Sequence, residues 1–391
     1  MSLLEKTHAI GDSEFVFSSL GLNERKLPVM YVKSEIVEVS GEPGFAHLLE
    51  RLRSQPQPGF FFTRAEEGDL YLPVRWGLNR HGVFSSDSFK DSKGNPYRDV
   101  DAKGIGYVHG IPMRVLPVQW PHMENDVEMR GIQHCDYAEE DWLIGEELSK
   151  LELRIARPVA QIELFELVDV KGKIVPRQAI GDELGINLDR VRPMITLRAM
   201  GTTSRVWDLS LSYNPSYNAY RKEMVDDAMS LVSSEIGAKL SPRDYVVWFI
   251  DTLSSMVGKM QANDISPDFR KQIHQGLHNV TLDCRLIDLH AYDTPGSIRR
   301  RTESLRRSIA ENPRLAEFYR SRVAPTREQV EANNREVEQI DRENTFIILN
   351  DLARGVNGVY PIGDELISER GIWNRLNLAY WNEVLDSVCK I

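Results

Sequence analysis

The stretch Gln272-Ile-His-Gln-Gly-Leu-His-Asn-Val-Thr-Leu-Asp-Cys-Arg-Leu-Ile-Asp-Leu289 holds the densest set of residues able to do chemistry. A polar loop carries His274, His278 and Asn279, and a short hairpin then delivers Ile287-Asp288. An amide and a carboxylate at the two ends of a hairpin can converge on one Mg²⁺, a hard cation that takes a few oxygen ligands beside phosphate oxygens. The same residues suit a plain polar turn, with Asn279 as turn former and Asp288 as a helix cap.

Three further signals lie upstream. Asp101-Ala-Lys-Gly-Ile-Gly106 follows a hairpin pattern. A strand lysine, Lys103, followed by Gly104 and Gly106, which allow close backbone approach, is a phosphate-binding arrangement. An exposed strand lysine gives the same pattern. Glu146, in a helical stretch, is placed to pair with Lys103 and orient it, or else it lies on a solvated helix face. Arg198 and Arg205, at a junction between halves, can clamp a polyphosphate through bidentate contacts, or form surface ion pairs. Their order says more than any one of them. Strand lysine, helix glutamate, apolar strands, long helix, then Asn, hairpin and Asp is the order of a protein-kinase core. The kinase H-R-D aspartate is missing, and no clear G-x-G-x-x-G precedes Lys103.

Positioning these residues takes a sheet, a helix against it and a helical half to carry the loop. From about Tyr31 to Gln119 the chain reads as short β-runs broken by turns, with a helical island at Ala46 to Arg53 and a turn at Asp91-Ser-Lys-Gly-Asn-Pro96. Tyr137 to Leu153 (the helix 137–153) shows a helical stripe that Arg157-Pro158 would end. Apolar strands are predicted over Val159 to Val168 and Arg192 to Met200. Helices are predicted over Tyr220 to Lys239, Tyr245 to Met260, Ser297 to Val323, Thr326 to Arg354 and Gly371 to Val388, interrupted by a β-like insert at Val280 to Leu289. This is α+β segregation rather than βαβ alternation. It suggests a β-rich N-lobe over 1–200 and a mainly helical C-lobe over 201–391, with a catalytic loop at 272–290.

A chain of 391 residues with 41% hydrophobic and 27% charged residues is globular by composition, which excludes wholesale disorder and fibrous repeats. With 48 basic against 58 acidic residues, net −10, it is a poor general binder of nucleic acid or anionic membranes. No apolar run approaches the ~18–20 residues that span a bilayer. Met1 to Asp12 lacks the apolar core of a secretory signal. Three cysteines, Cys135, Cys284 and Cys389, make no disulfide framework and fit a reducing cytoplasm.

At the level of motifs the chain resembles the selenoprotein-O family, kinase-fold enzymes that attach AMP to proteins. Lys103-Gly-Ile-Gly106 resembles that family's K-G-x-G, and Trp142-Leu-Ile-Gly-Glu-Glu147 its S-E-A helix segment, pointing to Glu146. Arg198 and Arg205 keep the family's seven-residue arginine spacing. Asn279 and Asp288, eight residues between them, keep its D-N to D-Y-G spacing. The resemblance spans roughly residues 95 to 295. It implies a bilobal kinase-like fold, ATP and Mg²⁺ (or Mn²⁺) as cofactors, and a hydroxyl acceptor on a protein or small molecule. Lys103, Arg198 and Arg205 would hold phosphates, Glu146 would orient Lys103, and Asn279 and Asp288 would ligate the metal. His278 stands where the family has an aspartate, and a histidine there can serve as general base. The family's D-Y-G reads Asp288-Leu-His290. In the family ATP lies flipped, so the α-phosphate faces the acceptor and pyrophosphate leaves. A terminal cysteine in the family can gate activity through a disulfide, which raises a Cys284–Cys389 pairing here. A phosphotransferase, an adenylate-forming ligase or an ATP-binding pseudokinase would use the same phosphate-binding residues. The basic run Ser297-Ile-Arg-Arg-Arg-Thr-Glu-Ser-Leu-Arg-Arg307 suits either docking of an acidic acceptor or a solvated helix face.

Overall fold

The computed structural model describes residues 14–16, 26–54, 59–62, 81–104, 116–117, 127–128, 133–168, 173–184, 187–210, 218–267, 279–311, 345–368 and 372. Strands β1 (Glu14–Val16), β2 (Lys26–Val32) and β3 (Ser34–Val39) precede helix α1 (Ala46–Arg53), strand β4 (Gly59–Phe62) and the hairpin of β5 (His81–Lys90) and β6 (Pro96–Lys103). Two short paired strands, β7 (Leu116–Pro117) and β8 (Val127–Glu128), stand ahead of α2 (Cys135–Lys150). Next come β9 (Arg157–Leu164), the hairpin of β10 (Glu166–Val168) and β11 (Ile174–Pro176), short helices α3 (Arg177–Leu184) and α4 (Leu188–Val191), and β12 (Met194–Met200). Beyond it lie α5 (Val206–Ser210), α6 (Asn218–Ile236), α7 (Pro242–Ala262), the paired strands β13 (Ser266–Pro267) and β14 (Tyr292–Asp293), and α8 (Pro295–Glu311). A helical segment at 345–357 and one turn at Asp364–Ile367 complete the described chain apart from Ile372.

The protein is α+β. Five strands, β3-β9-β12-β6-β5, run antiparallel side by side, and β1, β2 and β4 extend the order beyond β5. The hairpin turn expected after β5 is held by Asp91, whose carboxylate accepts from the backbone N–H of Lys93 (3.0 Å) and Asn95 (2.8 Å). Both faces of β9 and β12 are buried, so Gln161 and Glu163 of β9 and Thr196 and Arg198 of β12 are enclosed with their apolar neighbours. One core, including Phe45, Leu48, Val100, Ile162 and Leu197, packs α1 against the sheet. A second unites Ile144 and Leu148 of α2 with Val225 of α6, Phe249 and Leu253 of α7, and Leu282 and Leu286 of the candidate loop. The helix expected within the β-rich half therefore packs into the core of the helical half. Helix α7 is fixed at its start by Ser241, which accepts from Asp244 N–H while Asp244 reaches back, with Pro242 in the first turn.

Several expectations need correction. The stretch expected as one strand from Val159 to Val168 is two, because Phe165 breaks the ladder and starts a hairpin. Helix α2 stops at Lys150, short of Leu153 and of the Arg157-Pro158 breaker, since Glu152 turns left-handed (φ 55°). Two short helices, α3 and α4, stand between the segments expected as apolar strands, where no helix was expected. The insert at Val280 to Leu289 is a tight loop pinned by single bridges, Val280 to Leu286 and Arg205 to Thr281, without extended strands. Part of the stretch expected as short β-runs, including 63–80, and the helices expected beyond 311, 345–357 excepted, fall outside the described residues.

Candidate active site

Cross-strand register sets the site. Lys103 on β6 stands opposite Thr196 of β12, and Asp101 opposite Arg198. Paired residues and alternate residues of neighbouring strands share a face, so Asp101, Lys103, Thr196 and Arg198 point the same way. From the helical side the 280–288 loop is brought up against them. Tyr245 of α7 donates its hydroxyl to the Leu282 carbonyl (2.5 Å), and Leu286 N–H bonds to the Arg154 carbonyl (2.8 Å). Asp288 then projects from a left-handed residue, φ 52°, ψ 56°.

The side chains converge on Asp288. Lys103 Nζ lies 2.7 Å from Asp288 Oδ1, Arg198 Nη1 3.2 Å from the same oxygen, and Arg205 Nη1 3.8 Å from Oδ2. Burial alone would push the Asp288 carboxyl up, but Lys103, Arg205 and Arg198 outweigh it and hold it well below the usual range. Arg198 is itself buried, which disfavours its charge, yet Asp101, Asp288 and Asp141 together hold it firmly protonated. Arg198 Nε donates to Asp101 Oδ2 at 2.9 Å.

The helix carboxylate on Lys103 is Asp141, at 3.0 Å from Nζ, and not Glu146. The reason is angular. Five residues along an α-helix rotate a side chain by about 140°, so a helix that turns Asp141 to Lys103 turns Glu146 away. Asp141 is placed from several sides. Gln133 Nε2 donates to its Oδ2 (3.1 Å) and Thr196 Oγ1 donates to Gln133 Oε1 (2.8 Å). Its Oδ1 takes the His290 backbone N–H (2.7 Å) and lies 2.9 Å from His290 Nδ1. Burial would raise the Asp141 carboxyl, but Lys103 and His290 carry it far below the carboxylate range. Sequence reasoning passed over Asp101, Gln133, Asp141 and His290. The strand alternation Asp99-Val-Asp-Ala-Lys103 was the available signal for Asp101.

Asn279 is buried, and its carbonyl accepts from Ile287 N–H at 2.9 Å, which sets it across the loop beside Asp288. Among the described residues its carboxamide has no hydrogen-bond partner. An amide and a carboxylate brought to the two ends of one tight loop are oxygen donors of the kind that Mg²⁺ takes. Gly104 follows Lys103 directly at the end of β6. It sits at φ 98°, and a Cβ there would lie 2.2 Å from the Met194 carbonyl oxygen, so the glycine lets the chain leave β6 tightly against β12. Gly104→Ala is expected to cost at least about 2 kcal/mol through strain and clash, read as a lowered midpoint in a urea melt.

Among the described residues one His/Cys/Asp/Glu triad has ligand atoms close enough for a metal: His134, Cys135 and Asp136, consecutive at the start of α2. His134 Nδ1 already accepts from Asp136 N–H (3.0 Å), so this is a helix cap. Cys284 is buried and free, its thiol pushed up chiefly by burial. Gly106, His274, His278 and Cys389 lie outside the described residues. No helix among those described is long and apolar enough to cross a membrane.

Three cations, Lys103, Arg198 and Arg205, thus face three carboxylates, Asp101, Asp141 and Asp288, in one buried cluster joining sheet and loop. No protein-family model matches the chain, and no curated protein matches it. The cations of the cluster are suited to an anion with several charges.

Proposed function

We propose that the protein is a nucleotidyltransferase of kinase-like bilobal fold that transfers AMP from ATP, with Mg²⁺ or Mn²⁺, to a hydroxyl on a protein. The observation that carries this reading is the meeting of Lys103, Arg198 and Arg205 on Asp288. Two residues of the sheet face, one at the sheet's exit and one loop carboxylate fall at one point, in the order a nucleotide site of this kind requires. The backbone bond from Ile287 to Asn279, which sets Asn279 across the loop from Asp288, supports the metal assignment.

In this reading Asn279 and Asp288 hold the metal, whose contribution is to neutralise phosphate charge. Lys103, Arg198 and Arg205 turn from Asp288 to the phosphate oxygens, while Asp141 and Asp101 keep Lys103 and Arg198 aimed. The acceptor oxygen forms a bond to the α-phosphorus as the bond to the departing pyrophosphate breaks. Negative charge grows on pyrophosphate, where fixed guanidinium and ammonium groups stabilise it most. His278 takes the acceptor's proton.

A second reading has its own observation. Asp288 is already neutralised by three cations, a closed arrangement that suits a pseudokinase whose nucleotide only stabilises an interaction surface. ATP labelled separately at the α- and γ-phosphates, incubated with protein, Mg²⁺ and cell lysate, separates the cases. Label retained from the α-position alone, with pyrophosphate released, is the expected result. Retention from the γ-position alone makes the protein a phosphotransferase and overturns the proposal. Retention of neither, with nucleotide binding measured by calorimetry, selects the pseudokinase or an adenylate-forming ligase with a diffusible product.

A further inference from the structure

Helix α8 begins seven residues after Asp288 and carries five arginines between positions 299 and 307 of a chain whose net charge is −10. Arg300 is committed to the fold. Arg300 Nη1 bonds Glu147 Oε1 of α2 at 2.6 Å, and its Nη2 lies 3.6 Å from Glu140 Oε2. That anchor ties α8 to the helix whose Asp141 holds Lys103. The opposite side of α8 is solvent-exposed at Ile298, Arg299, Thr302, Glu303, Arg306 and Arg307. Arg299 and Arg306 are seven residues apart, two turns on one line, which sets their side chains about 10 Å apart. Arg299, Arg306 and Arg307 have no hydrogen bond or ion pair with any described residue. Ile298, half exposed at 50%, stands at the N-terminal end of the same face.

We propose that this face of α8 binds an acidic segment of a partner protein, with carboxylates seated on Arg299, Arg306 and Arg307 and one apolar side chain on Ile298. Three features favour a protein over another polyanion. The arginine line is short and broken by Glu303, unlike the continuous basic tracks that follow a nucleic-acid backbone. The net negative charge of the whole chain repels long polyanions and anionic lipid surfaces, while a short acidic peptide reaches only the local positive field. An aliphatic contact at one end suits a peptide side chain. Guanidinium forks take carboxylates two bonds at a time, which gives such a surface register as well as attraction. The surface is independent of nucleotide transfer, and its test needs no nucleotide.

Fluorescence anisotropy of a fluorescein-labelled polyglutamate peptide, titrated with the full chain at low salt, reads the binding directly. Expected are saturable binding that weakens as salt is raised, a loss of about tenfold or more in Arg299→Glu/Arg306→Glu, and tighter binding in Glu303→Arg. All three positions are exposed, and a matched thermal melt confirms that the variants fold. No saturable binding at low salt overturns the proposal, as does affinity that the double variant leaves unchanged. Tighter binding of a single-stranded oligonucleotide or of phosphatidylserine vesicles, lost in the same double variant, also overturns it by assigning the face to that polyanion.

Discussion

Arg198→Met is expected to lower stability by about 3–5 kcal/mol, because it leaves Asp101 buried without its guanidinium partner. Arg198 and Asp101 are cross-strand partners on β12 and β6, both nearly inaccessible, with the Arg198 Nε to Asp101 Oδ2 bond at 2.9 Å. Keeping that carboxylate buried after its guanidinium is lost is the dominant cost, larger than the lost attraction itself. The corresponding pair variant, Arg198→Met with Asp101→Leu, removes both charges and is expected to recover most of the loss, since well-packed apolar replacements of a buried ion pair are often neutral. Urea denaturation of the two single variants and the pair measures this as a coupling energy. Nucleotide binding separates structure from chemistry. In the pair variant the fold returns, but a phosphate ligand is still absent, so ATP affinity should stay low. A pair variant that regains both stability and ATP affinity would make Arg198 a structural residue only.

The contrast between Arg198 and Glu146 shows what the sequence made legible. Lys103, Arg198, Arg205 and Asp288 could be singled out because each sits in a segment whose local type is plain: apolar strands, a turn, a short loop. Strand residues have only two directions to point, so a charged residue in an otherwise buried strand such as Met194-Ile-Thr-Leu-Arg-Ala-Met200 stands out. A helix offers a continuous range of directions. Which carboxylate of Cys135 to Lys150 meets Lys103 depends on the rotation of α2, and α2 is rotated by its packing: Ile144 and Leu148 enter the helical core while Gly145 lies so close to β9 that a Cβ there would be 2.7 Å from Pro158. The motif pointed to Glu146, and the packing selects Asp141. Gln133 and His290 were illegible for another reason. Their roles arise from contacts across 8 and 149 positions, and neither residue type is unusual where it stands. The α+β character followed from the change of periodicity along the chain. The sheet order did not, because β3 joins the far edge of the sheet against β9, more than a hundred residues away, and no local signal encodes that register.

The same face of β6 supplies a pH dependence with a definite sign. Asp99, two residues before Asp101, is fully buried; its Oδ1 accepts from Arg98 Nε at 3.0 Å, while its Oδ2 has no hydrogen-bond partner. Burial pushes its carboxyl up to about 7, against the pull of Arg98, and the carboxylates of Asp227 and Asp283 add to the rise. Arg98 cannot serve Asp99 alone, because its two terminal nitrogens are given to Asp227 of α6 at 2.8 and 2.9 Å. In the unfolded chain an aspartate titrates near ~3.9. The folded state therefore keeps a proton that the unfolded state has lost in the window between roughly 4 and 7. The contribution is fully present below the unfolded value, falls as pH rises, and is gone once pH has passed about 7. Asp288 and Asp141, held low by their cations, act in the opposite direction at more acidic pH, so the wild-type profile alone does not isolate Asp99. The difference between wild type and Asp99→Asn does. The amide keeps an oxygen for Arg98 and carries no charge to bury, so the variant should be increasingly more stable than wild type from about pH 4 upward. The gap should level off above pH 7 at up to about 4 kcal/mol, from a shift of roughly three units at 1.36 kcal/mol each. Urea melts of both proteins across pH 4–9 measure the gap. A gap that does not change with pH would place the proton elsewhere. A gap that opens as described would make Asp99 a neutral acid at the seam between β6 and α6, where protonation holds sheet and helices together.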